Sequence, residues 1–258
     1  MHKVTSPSNA RLKIARMLHS RSGIQKHGLF LMEGPRFVSD YMQKEKPEWI
    51  IVSEEAAHLS RTTAKAALIG CIDVLEIPEK LFADISDTES SQGITAVCRL
   101  PSVNIDSIPR EGVFLLLDSI SDPGNMGTII RSAAAFGCTA VIAGKGSCCP
   151  FAPKITRAAV GLNSVAKVSF DTDLAAFMRS NADEMDFYGA VTSGEDIDRF
   201  QKGDRCIGLV VGSEAHGISE KVVKQLKGII AIPMAEGVES LNAAVSASIL
   251  LYHLGCRA

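Results

Sequence analysis

Several runs in the second half of this chain are apolar on every side: Gly112-Val-Phe-Leu-Leu-Leu-Asp118, Thr139-Ala-Val-Ile-Ala143, Cys206-Ile-Gly-Leu-Val-Val211 and Gly228-Ile-Ile-Ala-Ile232. A strand of that kind must be covered on both faces, as happens when helices pack against both sides of a parallel sheet. The intervening stretches supply the helices. One is expected from about 126 to 136, stopped by Gly137, and others over 153–161 and 172–181. Ala166–Phe170 and Asp186–Thr192 read as further strands, and a last helix runs from about 241 to 254.

The first hundred residues alternate in the same way on a smaller scale. Residues 9 to 21 read as one helix with Leu12, Ile14, Ala15, Met17 and Leu18 on one side. A strand follows over Gly28–Glu33, with Gly34-Pro35 as its turn, and then a helix over 36–44. Trp49–Ser53 is a buried strand, 54–68 is helical, Asp73–Ile77 alternates as a strand, 79–85 is a short helix, and Gly93–Arg99 is a closing strand. Residues 101–111 hold two prolines and no period, and read as a linker. The division expected is a small α/β domain over 1–100, a linker over 101–111 and a larger α/β domain over 112–258.

Composition narrows the function. With 46% apolar and 22% charged residues the chain is ordinary globular material. No apolar stretch approaches the roughly 18 residues of a membrane span. The start, Met1-His-Lys-Val-Thr-Ser-Pro-Ser, lacks the apolar core of a signal peptide, so a cytoplasmic location is expected. The seven cysteines (71, 98, 138, 148, 149, 206, 256) form no CxxC pair and fit reduced thiols. The six histidines have no ligand spacing, and no metal is expected. Gly144-Lys-Gly146 follows a strand but lacks the rest of a dinucleotide fingerprint. Net charge is −2, yet Lys3, Arg11, Lys13, Arg16, Arg21, Lys26 and Arg36 fall in a stretch whose only acid is Glu33. Such an arm can supply phosphate contacts, or it can be a solvated helix face.

Three turns stand directly after strands, where open α/β sheets bind ligands. The first is Asp122-Pro-Gly-Asn125-Met-Gly127-Thr-Ile-Ile-Arg131, with Asn125 in the place of a helix N-cap and Gly127 and Arg131 on one helix face. A fixed guanidinium there would lie near free backbone N–H groups. The second is Gly212-Ser-Glu214-Ala-His-Gly217. Gly212 allows a ligand close to the backbone. Glu214 has three roles open to it: accepting from turn N–H groups, holding Arg131 or a ribose hydroxyl, or capping a helix that begins near Ser219. The third is Ile232-Pro-Met234 followed by Glu239-Ser240-Leu241-Asn242, in which Ser240 or Asn242 can cap the last helix.

Together, and in this order, the three turns resemble the motifs of the SpoU (TrmH-like) RNA 2'-O-ribose methyltransferases of the SPOUT superfamily. Ser6-Pro-Ser-Asn9, Phe30-Leu-Met-Glu33-Gly34 and Gln92-Gly93 resemble that family's L30e/L7Ae-like substrate-binding domain. Arg157, in Pro153-Lys-Ile-Thr-Arg157-Ala-Ala-Val-Gly161, resembles a further family segment, although Ala158 stands where the family often has serine. Ala243 stands where it usually has valine. The resemblance implies S-adenosylmethionine as cofactor, a C-terminal parallel sheet with a trefoil knot, a homodimer, and RNA as substrate, ribosomal before transfer RNA. A non-catalytic RNA-binding protein is the alternative. It implies a reaction centre of Asn125, Arg131, Glu214, Ser240 and Asn242. It implies cofactor contacts from Thr192, Gly212, Gly217, Ile232, Met234 and Leu241, and RNA contacts from Arg11, Lys13, Arg16, Arg21, Glu33, Arg36 and Arg157.

Overall fold

A computed structural model describes residues 1–88 and 90–255, so Cys256 lies outside the described residues. The chain forms two compact units. One comprises Met1–Pro101 with Phe151–Ser164, the other Ser102–Pro150 with the chain from Val165 onward.

The first unit opens with β1 (His2–Lys3) and α1 (Ala10–Met17). Asn9 caps α1, its side chain accepting from the Arg11 and Leu12 N–H groups. The helix expected over 9–21 stops here. Leu18 closes it, Ser20 caps α2 (Arg21–His27), and Gly28 ends α2 with φ at 61°. Glycine permits the break: a Cβ on Gly23 would lie 1.9 Å from the Met17 carbonyl oxygen, so only glycine lets the second helix start so close to the first. Then follow β2 (Leu29–Glu33), α3 (Pro35–Met42), β3 (Trp49–Ser53), α4 (His58–Ile69), β4 (Val74–Ile77), α5 (Glu79–Ala83) and β5 (Ile94–Arg99). The sheet order is β1-β4-β3-β5-β2, with β5 antiparallel to both neighbours.

The second unit begins with a short 3-10 turn (Ile105–Ser107), β6 (Val113–Asp118), α6 (Pro123–Ala135) and β7 (Ala140–Gly144). The chain next enters the first unit through α7 (Pro153–Ala158). It returns for β8 (Val168–Thr172), α8 (Leu174–Ser180), β9 (Met185–Asp196), β10 (Cys206–Gly212), α9 (Glu220–Val223), β11 (Gly228–Ala231) and α10 (Ala243–His253). The strands make one six-stranded sheet, order β11-β9-β10-β6-β7-β8, parallel at every pairing. β6 and β7 are buried throughout, as their unbroken apolar runs require. Phe114, Leu116, Ile142, Phe177, Met178 and Phe187 fill the core on one side.

Two details position the site. On its β11 side, β9 changes register: Gly189 pairs with Ile229 and Glu195 with Ile230, so residues 190–194 leave that ladder. α10 buries Ala243, Ala244 and Ala247, and these small residues bring it close to α6, where the Ser132 and Ser248 hydroxyls meet at 2.7 Å.

The excursion through α7 completes the first unit. Phe151 packs edge-on against Phe30 at 5.4 Å between ring centroids, and both are fully buried.

Candidate active site

A cavity of about 270 Å³ opens at the carboxyl ends of β9, β10 and β11. That edge of a parallel sheet is where such folds bind ligands. The residues displaced from the β9 ladder, Ala190 to Thr192, form one wall; Val211 to Glu214, Ile232, Met234, Ser240 and Leu241 form others. All six residues expected at a cofactor (Thr192, Gly212, Gly217, Ile232, Met234 and Leu241) line this one cavity, with Glu214 and Ser240 beside them. Apolar and small residues dominate the lining, the usual make-up of a small-molecule site.

Gly212 has a further reason to be glycine. A Cβ there would lie 2.2 Å from the Gly217 carbonyl carbon and 2.5 Å from the Ile218 nitrogen. The close approach is of the turn to itself. Ser213 and Gly217 bridge, with the Gly217 N–H donating to the Ser213 oxygen at 2.8 Å and the Ser213 N–H donating back at 3.2 Å. The Ser213 hydroxyl accepts from the His216 N–H at 3.2 Å. Glu214 sits at the tip.

The Glu214 carboxylate accepts from the Asn125 amide, from the Asn242 amide at 3.5 Å and from the Ala243 N–H at 3.4 Å. The Asn242 amide also donates to the Asn125 side-chain oxygen at 2.9 Å, so the three side chains close a triangle. Asn242 caps α10, its oxygen accepting from the Ala244 N–H at 2.9 Å. Of the roles open to Glu214, capping α9 is therefore not taken, nor is pairing with Arg131. The Ser219 N–H at the start of α9 goes to Asp118 instead, at 2.7 Å.

Asn125 is not the cap of α6. Asp122 is, its side chain accepting from the Asn125 N–H at 2.7 Å, with Pro123 at the first helical position. Asn125 stands in the first turn, and its side chain is thereby free to reach Glu214. Gly127 is buried, and Arg131 is exposed with no hydrogen bond or ion pair to any described residue. Ser240 lines the cavity and likewise makes no hydrogen bond to any described residue.

The basic arm of the first unit meets acids from distant strands and turns. Arg11 pairs with Asp73 at 2.9 Å and lies over the Trp49 ring at 5.6 Å. Lys3 pairs with Glu54 at 2.7 Å, Arg16 with Asp84 at 3.7 Å, and Arg157 with Asp87 at 3.4 Å. The Arg11 guanidinium holds the Asp73 carboxyl below the usual carboxylate range. Arg21 begins α2 and is half-buried. Lys13 and Arg36 are exposed and pair with no described residue. Glu33 is committed internally: it accepts from the hydroxyls of Ser86, Thr88 and Ser91 at 2.6, 2.9 and 2.7 Å, which ties down the loop before β5. A carboxylate so engaged organises a loop.

Sequence reasoning passed over Asp118, Asp122 and Ser213. Each had a signal: a lone carboxylate ending an apolar run, an Asp-Pro pair opening a helix, and a serine between two close glycines. No helix among the described residues is long and apolar enough to cross a membrane, and no group of three His, Cys, Asp or Glu side chains among them could hold a metal ion.

The family model described as the SpoU rRNA Methylase family matches residues 112–252, and that of the MRM3-like substrate binding domain matches residues 9–96. The 23S rRNA (guanosine(2553)-2'-O)-methyltransferase RlmP of Bacillus subtilis is 30% identical over 257 residues, covering 98% of this chain and 99% of that protein. Among solved structures, a putative RNA methyltransferase of the TrmH family from Porphyromonas gingivalis is 28% identical with a TM-score of 0.80, covering 96% of this chain and 97% of that one. An AdoMet-bound rRNA methyltransferase from Sinorhizobium meliloti shares the fold with a TM-score of 0.83 at 24% identity, covering 98% of this chain and 96% of that one.

Proposed function

The chain belongs to the SpoU rRNA methylase family, and from that premise we propose that it transfers a methyl group from S-adenosylmethionine to a ribose 2'-hydroxyl of ribosomal RNA. The observation that carries this reading is the junction of one cavity with one polar cluster. Glu214 lines the cavity and at the same time holds Asn125 and Asn242. The cavity suits the cofactor: apolar walls at Met234, Leu241 and Leu250 can take an adenosine, while backbone at Gly212 and Ile232 can read its polar edge. When bound, the cofactor supplies a methyl group already activated on a sulfonium sulfur.

The protein's own task is then alignment and charge. Arg131 is exposed, unpaired among the described residues, and permanently protonated. It cannot take the hydroxyl proton, which leaves to water. It clamps the neighbouring phosphate and stabilises the negative charge developing on the ribose oxygen. Glu214 takes all three donors on one carboxylate oxygen, so it orders Asn125 and the start of α10. Ser240 offers an unengaged hydroxyl on the cavity wall to the reacting groups.

In this proposal residues 1–100 bind the RNA, with Lys13 and Arg36 as the available cations, and residues 112–258 carry the chemistry. The knotted chain path belongs to the proposal as well; a Cβ on Gly194 would lie 2.9 Å from the Ile229 oxygen, so chain segments run very close there. A homodimer is proposed on the exposed apolar line of Val245, Ile249 and Tyr252 along α10. The proposed compartment is the cytoplasm, where ribosomal RNA is found.

The test is transfer of labelled methyl from S-adenosylmethionine to RNA from a strain lacking this gene. Label recovered as a 2'-O-methyl nucleotide in ribosomal RNA is the expected outcome. Label in transfer RNA alone would move the substrate, and no transfer together with no cofactor binding would remove the enzyme reading.

A further inference from the structure

Asp118 closes β6, a strand otherwise built from Val113, Phe114, Leu115, Leu116 and Leu117. It is only 6% exposed. Its Oδ2 accepts the Ser219 N–H at 2.7 Å and its Oδ1 accepts the Ser119 hydroxyl at 3.4 Å; it pairs with no cation among the described residues. A buried carboxylate met only by an amide and a hydroxyl is costly. A neutral acceptor would serve if a simple strand end were all that was needed.

Its position shows what the charge is for. The β6–β10 ladder sets Asp118 beside Gly212, the first residue of the Glu214 turn. Ser219 lies just past the other end of that turn. One residue thus grips the turn twice, by ladder register at its start and by its carboxylate at its finish. Between these points the Ser213–Gly217 bridge leaves Glu214 at the tip. In the other direction, Asp118 leads into the loop to Asn125. Ser119, in that loop, takes a φ of 60°, in the left-handed region that side chains rarely adopt. The loop is held by the Ile120 N–H on the Ser147 hydroxyl at 3.1 Å and the Cys148 N–H on the Ile120 oxygen at 2.9 Å.

We propose that Asp118 is a positioning residue for the methyl-transfer reaction: it locks the turn bearing Glu214 to the loop that leads into α6 and Asn125, and so sets the geometry of their contact. Its kinetic part rests on the methyltransferase reading above; its structural part does not.

The experiment uses the full chain with Asp118→Asn and Asp118→Ala. Amide hydrogen exchange is followed at Ser213, His216, Gly217 and Ser219, alongside kcat and the RNA KM. Asp118→Ala is expected to speed exchange across that turn at least about tenfold, the scale of losing a hydrogen bond to a charged group, with Leu209 and Leu250 protected as before. Its kcat should fall by a similar factor with the RNA KM unchanged. Asp118→Asn keeps the size and one acceptor oxygen, so it should fold and recover part of both effects. Unchanged exchange in the turn overturns the proposal. So does exchange raised equally through β6 and β10, which would mean general loosening, or a change confined to KM. If the wild type transfers no methyl, the functional reading fails by itself, and the exchange measurement still decides whether Asp118 locks the turn.

Discussion

In the first unit Lys3, Arg11, Arg16 and Arg157 each face a carboxylate from elsewhere in that unit, whereas in the second unit Arg131 faces none that is described and the site's one central carboxylate, Glu214, meets neutral amides on one of its oxygens. The arm looked like the molecule's main store of positive charge, because seven cations stand there against one acid in linear order. Folding brings Asp73, Asp84 and Glu54 against it. A single arginine on a helix, without local emphasis, keeps its charge free. What is available for an anionic substrate depends on which charges the fold leaves unspent.

The largest expected effect breaks the comparison from the side of the second unit. Arg131→Ala should lower the methyl-transfer rate by about 10²–10³, the scale of removing one preorganised donor, with cofactor binding by calorimetry retained. Arg131→Lys should lower the rate without changing the shape of the pH profile; loss of a titration would make Arg131 a base after all. Gly212→Ala should follow. A Cβ 2.2 Å from the Gly217 carbonyl carbon forces the turn open, so urea denaturation should show a loss of about 1–3 kcal/mol, and the cavity should no longer bind the cofactor.

Glu214→Gln tests whether the charge of the cluster matters or only its shape. The amide keeps one acceptor oxygen, so a fall of about tenfold in kcat is expected, with stability nearly unchanged. A rate equal to wild type would reduce Glu214 to a spacer.

Smaller effects sharpen the first-unit side. Lys13→Glu with Arg36→Glu should reduce the salt dependence of RNA binding by about one phosphate contact per residue, seen in affinities over a salt series. Arg11→Ala, whose charge Asp73 already meets, should change that slope less. Last comes Asp73→Asn. The folded-state carboxyl titrates below its unfolded value because Arg11 favours the charged form. Its stabilisation is therefore full above the unfolded carboxylate value of about 3.9 and is lost as pH falls through the folded one. The gap in melting temperature between variant and wild type should be small at pH 7 and close in acid.

The strands and the three turns were legible because their signals are local. An apolar run with no polar face requires cover, and glycine or proline after it requires a turn. Trp49–Ser53 was read to the residue, and Val113–Asp118 to within one. The misreadings share a cause in contacts between residues that pattern does not link. The helix over 9–21 breaks after Met17, where Gly23 packs against the Met17 carbonyl. Asn125 passed for a cap because periodicity cannot tell which of two polar residues before a helix turns inward; the Asp122 side chain does. The internal role of Glu33 went unread because the hydroxyls that meet it lie more than fifty residues away.

The sequence by itself determined the class of fold, the order of the ligand-bearing turns and the residue types brought to them, since each follows from neighbours along the chain. Only the tertiary structure decided that Glu214 joins Asn125 to Asn242, that 190–194 leave the β11 ladder to line a cavity, that Phe151 completes the core of the first unit, and which cations remain unspent. Those are outcomes of distance in space between segments remote in sequence, where hydrogen bonds and charges are settled by whatever the packed backbone brings within about 3 Å.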